Sequence, residues 1–185
     1  MSDTIYTPSF YSQEESNKYF AKLSNELPWE KDLHLVGGGT KKIKRSMCHF
    51  GDNIGPYKYA NFILPTHTFT PTLDRLRNEV ACYLSVPFNS VLCNYYADGK
   101  GGIRWHSDNE VQLGEDPIIA MINLGATRHF HMLRKNTGER MVYPLANGDL
   151  FVMLKDCQKN WLHAILPESG VIEPRISLTF RWLYQ

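Results

Sequence analysis

The chain has 185 residues, 43% of them hydrophobic, and a net charge of +1 from 20 basic and 19 acidic residues. That length can bury roughly 70% of the unfolded surface in one core. The composition excludes a disordered chain, and the charge balance excludes a polycation, so any affinity for nucleic acid has to come from a local patch. Cys48, Cys82, Cys93 and Cys157 form no C-x-x-C pair and are expected to be reduced thiols packed as small apolar groups. The N-terminus carries no basic-then-apolar leader, and no run approaches the ~18 apolar residues of a membrane span. The expectation is a soluble, intracellular, monomeric protein with one domain over residues 1–185.

In chain order, Ser12-Gln-Glu-Glu15 is a capping box that predicts a helix over 12–27, with Phe20, Leu23 and Leu27 on one face and Pro28 ending it. A loop-rich stretch follows from His34, with Gly37-Gly-Gly39 as a flexible hairpin tip. Lys41, Lys42, Lys44, Arg45 and Lys58 face only one acidic residue, Asp52, between residues 37 and 60. They are read either as a solvated face or, given Phe50, Tyr57, Tyr59 and Phe62, as a strip for nucleic-acid phosphates. A second helix is predicted over 71–84, capped by Thr70, opened by Pro71, and striped by Leu73, Leu76, Val80 and Leu84.

Beyond residue 89 the pattern changes to short β-rich runs at 90–96, 118–124, 129–133, 141–143, 150–154, 162–166 and 175–183, separated by turns such as Asn136-Thr-Gly138 and Asn147-Gly148. Helices followed by many short strands predict an α+β chain whose body is a β-sandwich or barrel. Residues 1–89 would supply the helices and a substrate-recognition segment, and residues 90–185 the core.

Three residues suggest a metal. His106 and Asp108 are two apart and share a face in extended backbone. His163, in an otherwise apolar run, completes two imidazoles and one carboxylate. That set with open positions matches the facial triad of non-haem iron(II) oxygenases, whereas zinc hydrolysis favours a helical histidine pair that is absent here. In 175–182, alternation puts Arg175, Ser177, Thr179 and Arg181 on one face and Ile176, Leu178, Phe180 and Trp182 on the other. The first face is either a solvated sheet surface or a barrel interior. If interior, its guanidinium groups need anions, which a dicarboxylate co-substrate would provide, with Asn94 and Tyr96 adding hydrogen bonds.

Taken together, Asn94-x-Tyr96, His106-x-Asp108-x-Glu110, Gly148-Asp149-Leu150, His163 and Arg175-x-Ser-x-Thr-x-Arg181 resemble the motif set of AlkB-type dioxygenases, over about residues 45–183. The resemblance implies a double-stranded β-helix, or jelly-roll, with N-terminal helices outside and a nucleotide-recognition β-hairpin region. It implies Fe(II), 2-oxoglutarate and O2. His106, Asp108 and His163 would hold the metal, Asn94, Tyr96 and Arg175 the distal carboxylate of 2-oxoglutarate, and Arg181 would lie near its keto-acid end and Asp108, with Thr179 on the same face. Ser177 departs from the asparagine usual at its position.

The implied reaction is oxidative demethylation of alkylated DNA or RNA, with formaldehyde released. The base must be flipped out or single-stranded to reach a buried metal. Tyr59 would stack on it and Tyr57 line the approach, unless the two are core aromatics of a strand, while Glu110 would favour the cationic lesions 1-methyladenine and 3-methylcytosine, unless it is a solvated member of an acidic loop with Glu115 and Asp116. Lys41 and Arg45 belong to the basic strip described above, and Arg128, with Arg134, Lys135 and Arg140 around a predicted hairpin, either extends a phosphate-binding surface or forms a charged, solvated hairpin. Val36 is the one apolar residue at the glycine tip able to act as a wedge, which leaves a single-stranded substrate open. Two alternatives are the same oxidation of another substrate (an RNA modification or a protein side chain) and a non-catalytic nucleic-acid-binding module.

Overall fold

The computed structural model describes residues 3–184. Its first half runs β1 (Thr4–Thr7), α1 (Gln13–Glu26), β2 (Glu30–Leu35), β3 (Thr40–Gly51), β4 (Tyr57–Tyr59), β5 (Phe62–Leu64), β6 (Thr66–His67) and α2 (Pro71–Leu84). There follow β7 (Ser90–Tyr96), β8 (Ile103–His106), β9 (Ile119–Gly125), β10 (Arg128–Arg134) and β11 (Arg140–Leu145). The chain closes with β12 (Leu150–Met153), α3 (Cys157–Asn160), β13 (Trp161–Ile165) and β14 (Arg175–Arg181).

Both long helices start as their caps require. Ser12 Oγ accepts from the Glu15 amide at 3.3 Å while the Glu15 carboxylate accepts from the Ser12 amide at 3.1 Å. Thr70 Oγ1 accepts from the Leu73 amide at 3.3 Å, and Pro71 occupies the first turn. Such a cap contributes about 1 kcal/mol. The apolar stripes, Leu23 and Leu27 on α1 and Leu73, Leu76 and Val80 on α2, pack in one cluster with Ile176, Leu178 and Phe180 of β14. Burying each such side chain contributes about 1.5–3 kcal/mol, enough to fix the helices to the outside of the sheet.

The strands form two facing sheets, a double-stranded β-helix. The larger runs β1-β12-β9-β14-β7-β3-β2-β5-β4, with β6 beside β3, and the smaller runs β11-β10-β13-β8. Between them Met121, Phe130, Met132, Phe151, Met153 and Ile165 pack together. β14 lies between β7 and β9, and all seven of its residues are buried. Its apolar face meets the helices, so Arg175, Ser177, Thr179 and Arg181 line the interior of the roll and the solvated-surface alternative is excluded.

The stretch after His34 departs from the loop-rich expectation. β2 and β3 form a hairpin, pairing Asp32 with Lys42 and His34 with Thr40, with Gly37, Gly38 and Gly39 at its tip at φ of +93°, +103° and +84°. A period of two is present but short: Leu33 and Leu35 alternate with exposed Asp32 and His34, and Ile43 with exposed Lys42 and Lys44, so only one face is partly buried. The sheet also runs across residue 89: β3 pairs with β7 from Ser46↔Tyr95 to Gly51↔Ser90. β1 joins β12, and Asp149 holds the N-terminal segment by accepting from the Ser9 amide at 2.9 Å and Tyr6 Oη at 2.7 Å. Among the described residues no helix is long and apolar enough to cross a membrane.

Candidate metal and co-substrate site

β8 and β13 pair with His106 directly opposite His163, so the two imidazoles meet across the smaller sheet with ring centroids 4.2 Å apart. Asp108 lies just beyond β8, 3% exposed. Its Oδ1 is 3.4 Å from His106 Nε2 and 3.7 Å from His163 Nε2, and the ligand atoms of the three side chains all lie within 4.8 Å of one another. His106 Nδ1 donates to the Arg104 carbonyl at 2.7 Å, which fixes the tautomer and leaves Nε2 as a bare lone pair.

Arg181 Nη2 donates to Asp108 Oδ2 at 2.7 Å, whereas the buried Oδ1 has no hydrogen-bond partner. Burial pushes the Asp108 carboxyl up, but Arg181 and the two histidines outweigh it and hold the group well below the usual carboxylate range. Burial lowers His163 to about 3, which favours the neutral ring. His106 moves the other way: burial lowers it, but its contact with the Asp108 carboxylate outweighs burial and raises it, so a metal would take the place of the proton there. Two imidazoles and an ionised carboxylate with a free oxygen are a donor set that fits a divalent metal such as iron(II).

Arg175 and Tyr96 form the second half of the site, facing each other across the β14–β7 pair. Arg175 is 1% exposed and burial lowers it to about 10. Its Nη2 donates to Asn123 Oδ1, while its Nε and Nη1, like Tyr96 Oη, are buried without a partner. These orphaned donors surround the same cavity as the metal cluster, lined also by Tyr59, Asn94, Ser177, Thr179 and Arg181. A small carboxylate anion would satisfy all of them.

A jelly-roll that encloses a two-histidine, one-carboxylate cluster beside a buried, unsatisfied arginine is built for a mononuclear metal and an anionic co-substrate. The chain belongs to the 2OG-Fe(II) oxygenase superfamily, whose family profile matches residues 3–181. Among curated relatives, it is 35% identical to the bovine (Bos taurus) protein named alpha-ketoglutarate-dependent dioxygenase alkB homolog 3, over 96% of this chain and 65% of that protein. It is 29% identical to the human (Homo sapiens) protein named DNA oxidative demethylase ALKBH2, over 97% of this chain and 72% of that protein. It thus spans about 65% of the length of the alkB homolog 3 relatives. The solved structure of OsALKBH1 superposes with a TM-score of 0.64 over 98% of both chains at 14% identity, a likeness of fold.

Other expected site residues fall differently. Tyr59, 6% exposed and pushed up to about 12 by burial, lines the cavity. Glu110 is half-buried, with Oε2 unpartnered, and burial and neighbouring Asp108 raise its carboxyl. Tyr57 does not line an open approach: it is fully buried and stacked on His49, with centroids 4.5 Å apart. Lys41 is exposed on the β2–β3 hairpin.

Two expected phosphate contacts turn inward. Arg45 donates from Nε to Asn94 Oδ1 at 2.9 Å and from Nη1 to the Gly102 carbonyl at 3.2 Å, because it sits where β3 enters the core. That bond orients the Asn94 amide and leaves Nδ2 as the donor available to a ligand. Arg128 is 0% exposed and satisfied internally, so it is no part of a nucleic-acid surface.

Sequence reasoning missed three supporting residues. Asn123 was legible as a lone polar residue in the apolar run 119–124, but its partner Arg175 was not. Gln158 Oε1 accepts from the Asp108 amide at 2.9 Å and its Nε2 donates to Met153 Sδ at 3.2 Å, which no local pattern announces. His49 Nδ1 meets Thr66 Oγ1 at 2.9 Å, and Thr66 itself donates to the Gly55 carbonyl. The imidazole is therefore the donor in that bond, and its buried Nε2 is a bare acceptor.

Proposed function

We propose that this chain is an Fe(II)- and 2-oxoglutarate-dependent oxygenase that demethylates N-methylated bases, 1-methyladenine and 3-methylcytosine, in DNA or RNA. The observation that carries the reading is the single cavity in which Asp108 Oδ1 and the donors of Arg175 and Tyr96 are all buried and unpartnered. Membership of the superfamily and the similarity to alkB homolog 3 and to a protein named as a DNA oxidative demethylase support it.

His106, Asp108 and His163 would hold the iron. With 2-oxoglutarate and O2 it supplies the oxidation of a methyl C–H to a hydroxymethyl group, 2-oxoglutarate going to succinate and CO2. Arg175 and Tyr96 anchor the distal carboxylate by charge-assisted hydrogen bonds, and Asn94, oriented by Arg45, adds one from Nδ2. Arg181 keeps Asp108 ionised by binding Oδ2, which would leave Oδ1 free as a metal ligand. Tyr59 offers a ring on which an extruded base stacks, and the Glu110 carboxylate complements the positive charge of the methylated base. The hydroxymethyl product loses formaldehyde and returns the bare base.

The four cysteines are free thiols, which supports an intracellular setting. The test is formaldehyde and succinate release from matched methylated single- and double-stranded DNA and RNA oligonucleotides. Stoichiometric release that disappears in Asp108→Ala is expected. Succinate formation that no methylated oligonucleotide stimulates would overturn the substrate assignment, and none at all would overturn the oxygenase.

A further inference from the structure

Arg128 lies at the start of β10 and carries no exposed surface. A buried guanidinium has five donors to satisfy. Nε donates to Glu168 Oε1 at 3.1 Å, Nη2 to the carbonyls of Gly101 and Leu166 at 2.9 and 2.8 Å, and Nη1 to that of Asp98 at 3.4 Å. None of its nitrogens is orphaned, in contrast to Arg175. Both cations lie against the Tyr96 ring: the Arg175 guanidinium carbon is 5.2 Å from the ring centroid and that of Arg128 is 5.6 Å.

The two loops that Arg128 grips have a common property. Residues 97–102 join β7, which carries Asn94 and Tyr96, to β8, which ends at His106; residues 166–174 join β13, which carries His163, to β14, which begins at Arg175. Each loop links a metal-ligand strand to a co-substrate strand. They touch directly, Glu168 N donating to the Gly99 carbonyl at 2.8 Å and Gly99 N to that of Val171 at 2.7 Å. Gly101 closes against the tyrosine, since a Cβ there would stand 3.3 Å from Tyr96 Cδ1. Glu168 balances the buried cation and is itself held by the His129 amide at 3.0 Å and His129 Nδ1 at 2.9 Å.

We propose that Arg128 is a positioning residue for 2-oxoglutarate: it clamps both loops and packs over the Tyr96 ring, and so holds Tyr96 Oη and Arg175 in place for one carboxylate. This inference rests on the function proposed above. The metal ligands have separate supports in Arg104, Arg181, Gln158 and the β8–β13 pairing. Loss of the clamp therefore falls on the co-substrate.

The test compares wild type, Arg128→Lys and Glu168→Gln as iron(II)-loaded protein under anaerobic conditions, titrated with 2-oxoglutarate by calorimetry. Iron affinity and hydrogen exchange over residues 98–102 and 166–171 are measured in parallel. Lysine keeps the charge but loses the fork. It is expected to raise the dissociation constant for 2-oxoglutarate about tenfold, by analogy with groups that hold a ligating side chain in place, with iron affinity unchanged and exchange in both loops faster. In turnover, KM for 2-oxoglutarate rises while KM for the oligonucleotide does not.

Glu168→Gln shows the same split, more weakly, and decides the matter if Arg128→Lys fails to fold. Variants that bind 2-oxoglutarate like wild type, or lose iron in equal proportion, overturn the clamp while leaving the proposed function standing. A wild-type protein that does not bind 2-oxoglutarate overturns both.

Discussion

Arg175→Met separates what an arginine does for a ligand from what it does for the fold. In the ligand-free protein this side chain is a buried cation with two unpartnered nitrogens. Its lowering to about 10 corresponds to a penalty of about 3 kcal/mol on the charged form. Methionine removes that penalty, fills part of the volume, and sacrifices the hydrogen bond to Asn123 Oδ1, a loss of about 1–3 kcal/mol. The terms offset, so metal-loaded protein without co-substrate is expected to stay within about 2 kcal/mol of wild-type stability, unlike most buried-charge truncations. Binding should suffer far more. Two charge-assisted hydrogen bonds are worth about 1.5–3 kcal/mol each. Even the lower total, about 3 kcal/mol, raises the dissociation constant for 2-oxoglutarate about 150-fold. Urea unfolding with and without 2-oxoglutarate reads both effects: wild type gains stability from the ligand and Arg175→Met does not. A variant that loses more than about 5 kcal/mol without ligand, or that binds 2-oxoglutarate within threefold of wild type, refutes the reasoning.

Three further outcomes are expected. Gln158→Ala frees the Asp108 backbone and weakens metal binding about tenfold, measured by competition with a chromophoric chelator, while 2-oxoglutarate affinity of the metal-saturated protein is unchanged. Tyr59→Leu raises KM for the methylated oligonucleotide about tenfold, as expected for about 1–3 kcal/mol of lost stacking, and leaves oligonucleotide-independent succinate formation intact; loss of metal would instead make Tyr59 structural. Burial lowers both His49 and His163 to about 3 in the folded protein. Between their unfolded value of about 6.5 and that point the unfolded chain takes up protons that the native state refuses. Metal-free protein therefore loses stability as the pH falls through this window, by about 1.4 kcal/mol per pH unit for each histidine, with no contribution above it. Denaturant midpoints from pH 7 to 4.5 should fall less steeply in His49→Gln, and an unchanged slope would show that His49 is protonated in the native state.

The elements with the strongest local signals were legible in the chain, whereas β1, β2, β3 and β8 were not. Capping chemistry at Ser12 and Thr70 marked both helices to within a residue or so, since an N-cap is a contact between residues three apart. Alternation in 175–181 separated its polar from its apolar face correctly, because side-chain direction in a strand follows position alone. Which face pointed inward was decided only by the tertiary structure, through helices packing on Ile176, Leu178 and Phe180.

The same division holds at the site. His106 and Asp108 could be paired from their spacing, whereas the meeting of His106 with His163 depends on the register of β8 against β13. Arg45 and Arg128 show the limit most directly. In sequence both are basic residues in charged or turn-flanked stretches, indistinguishable from surface cations. Tertiary structure turned one onto Asn94 and the other onto Glu168 and three loop carbonyls. The charge of a guanidinium is written in the chain, but whether it meets a phosphate or a buried carbonyl depends on partners tens of residues away, brought near only when the sheets close.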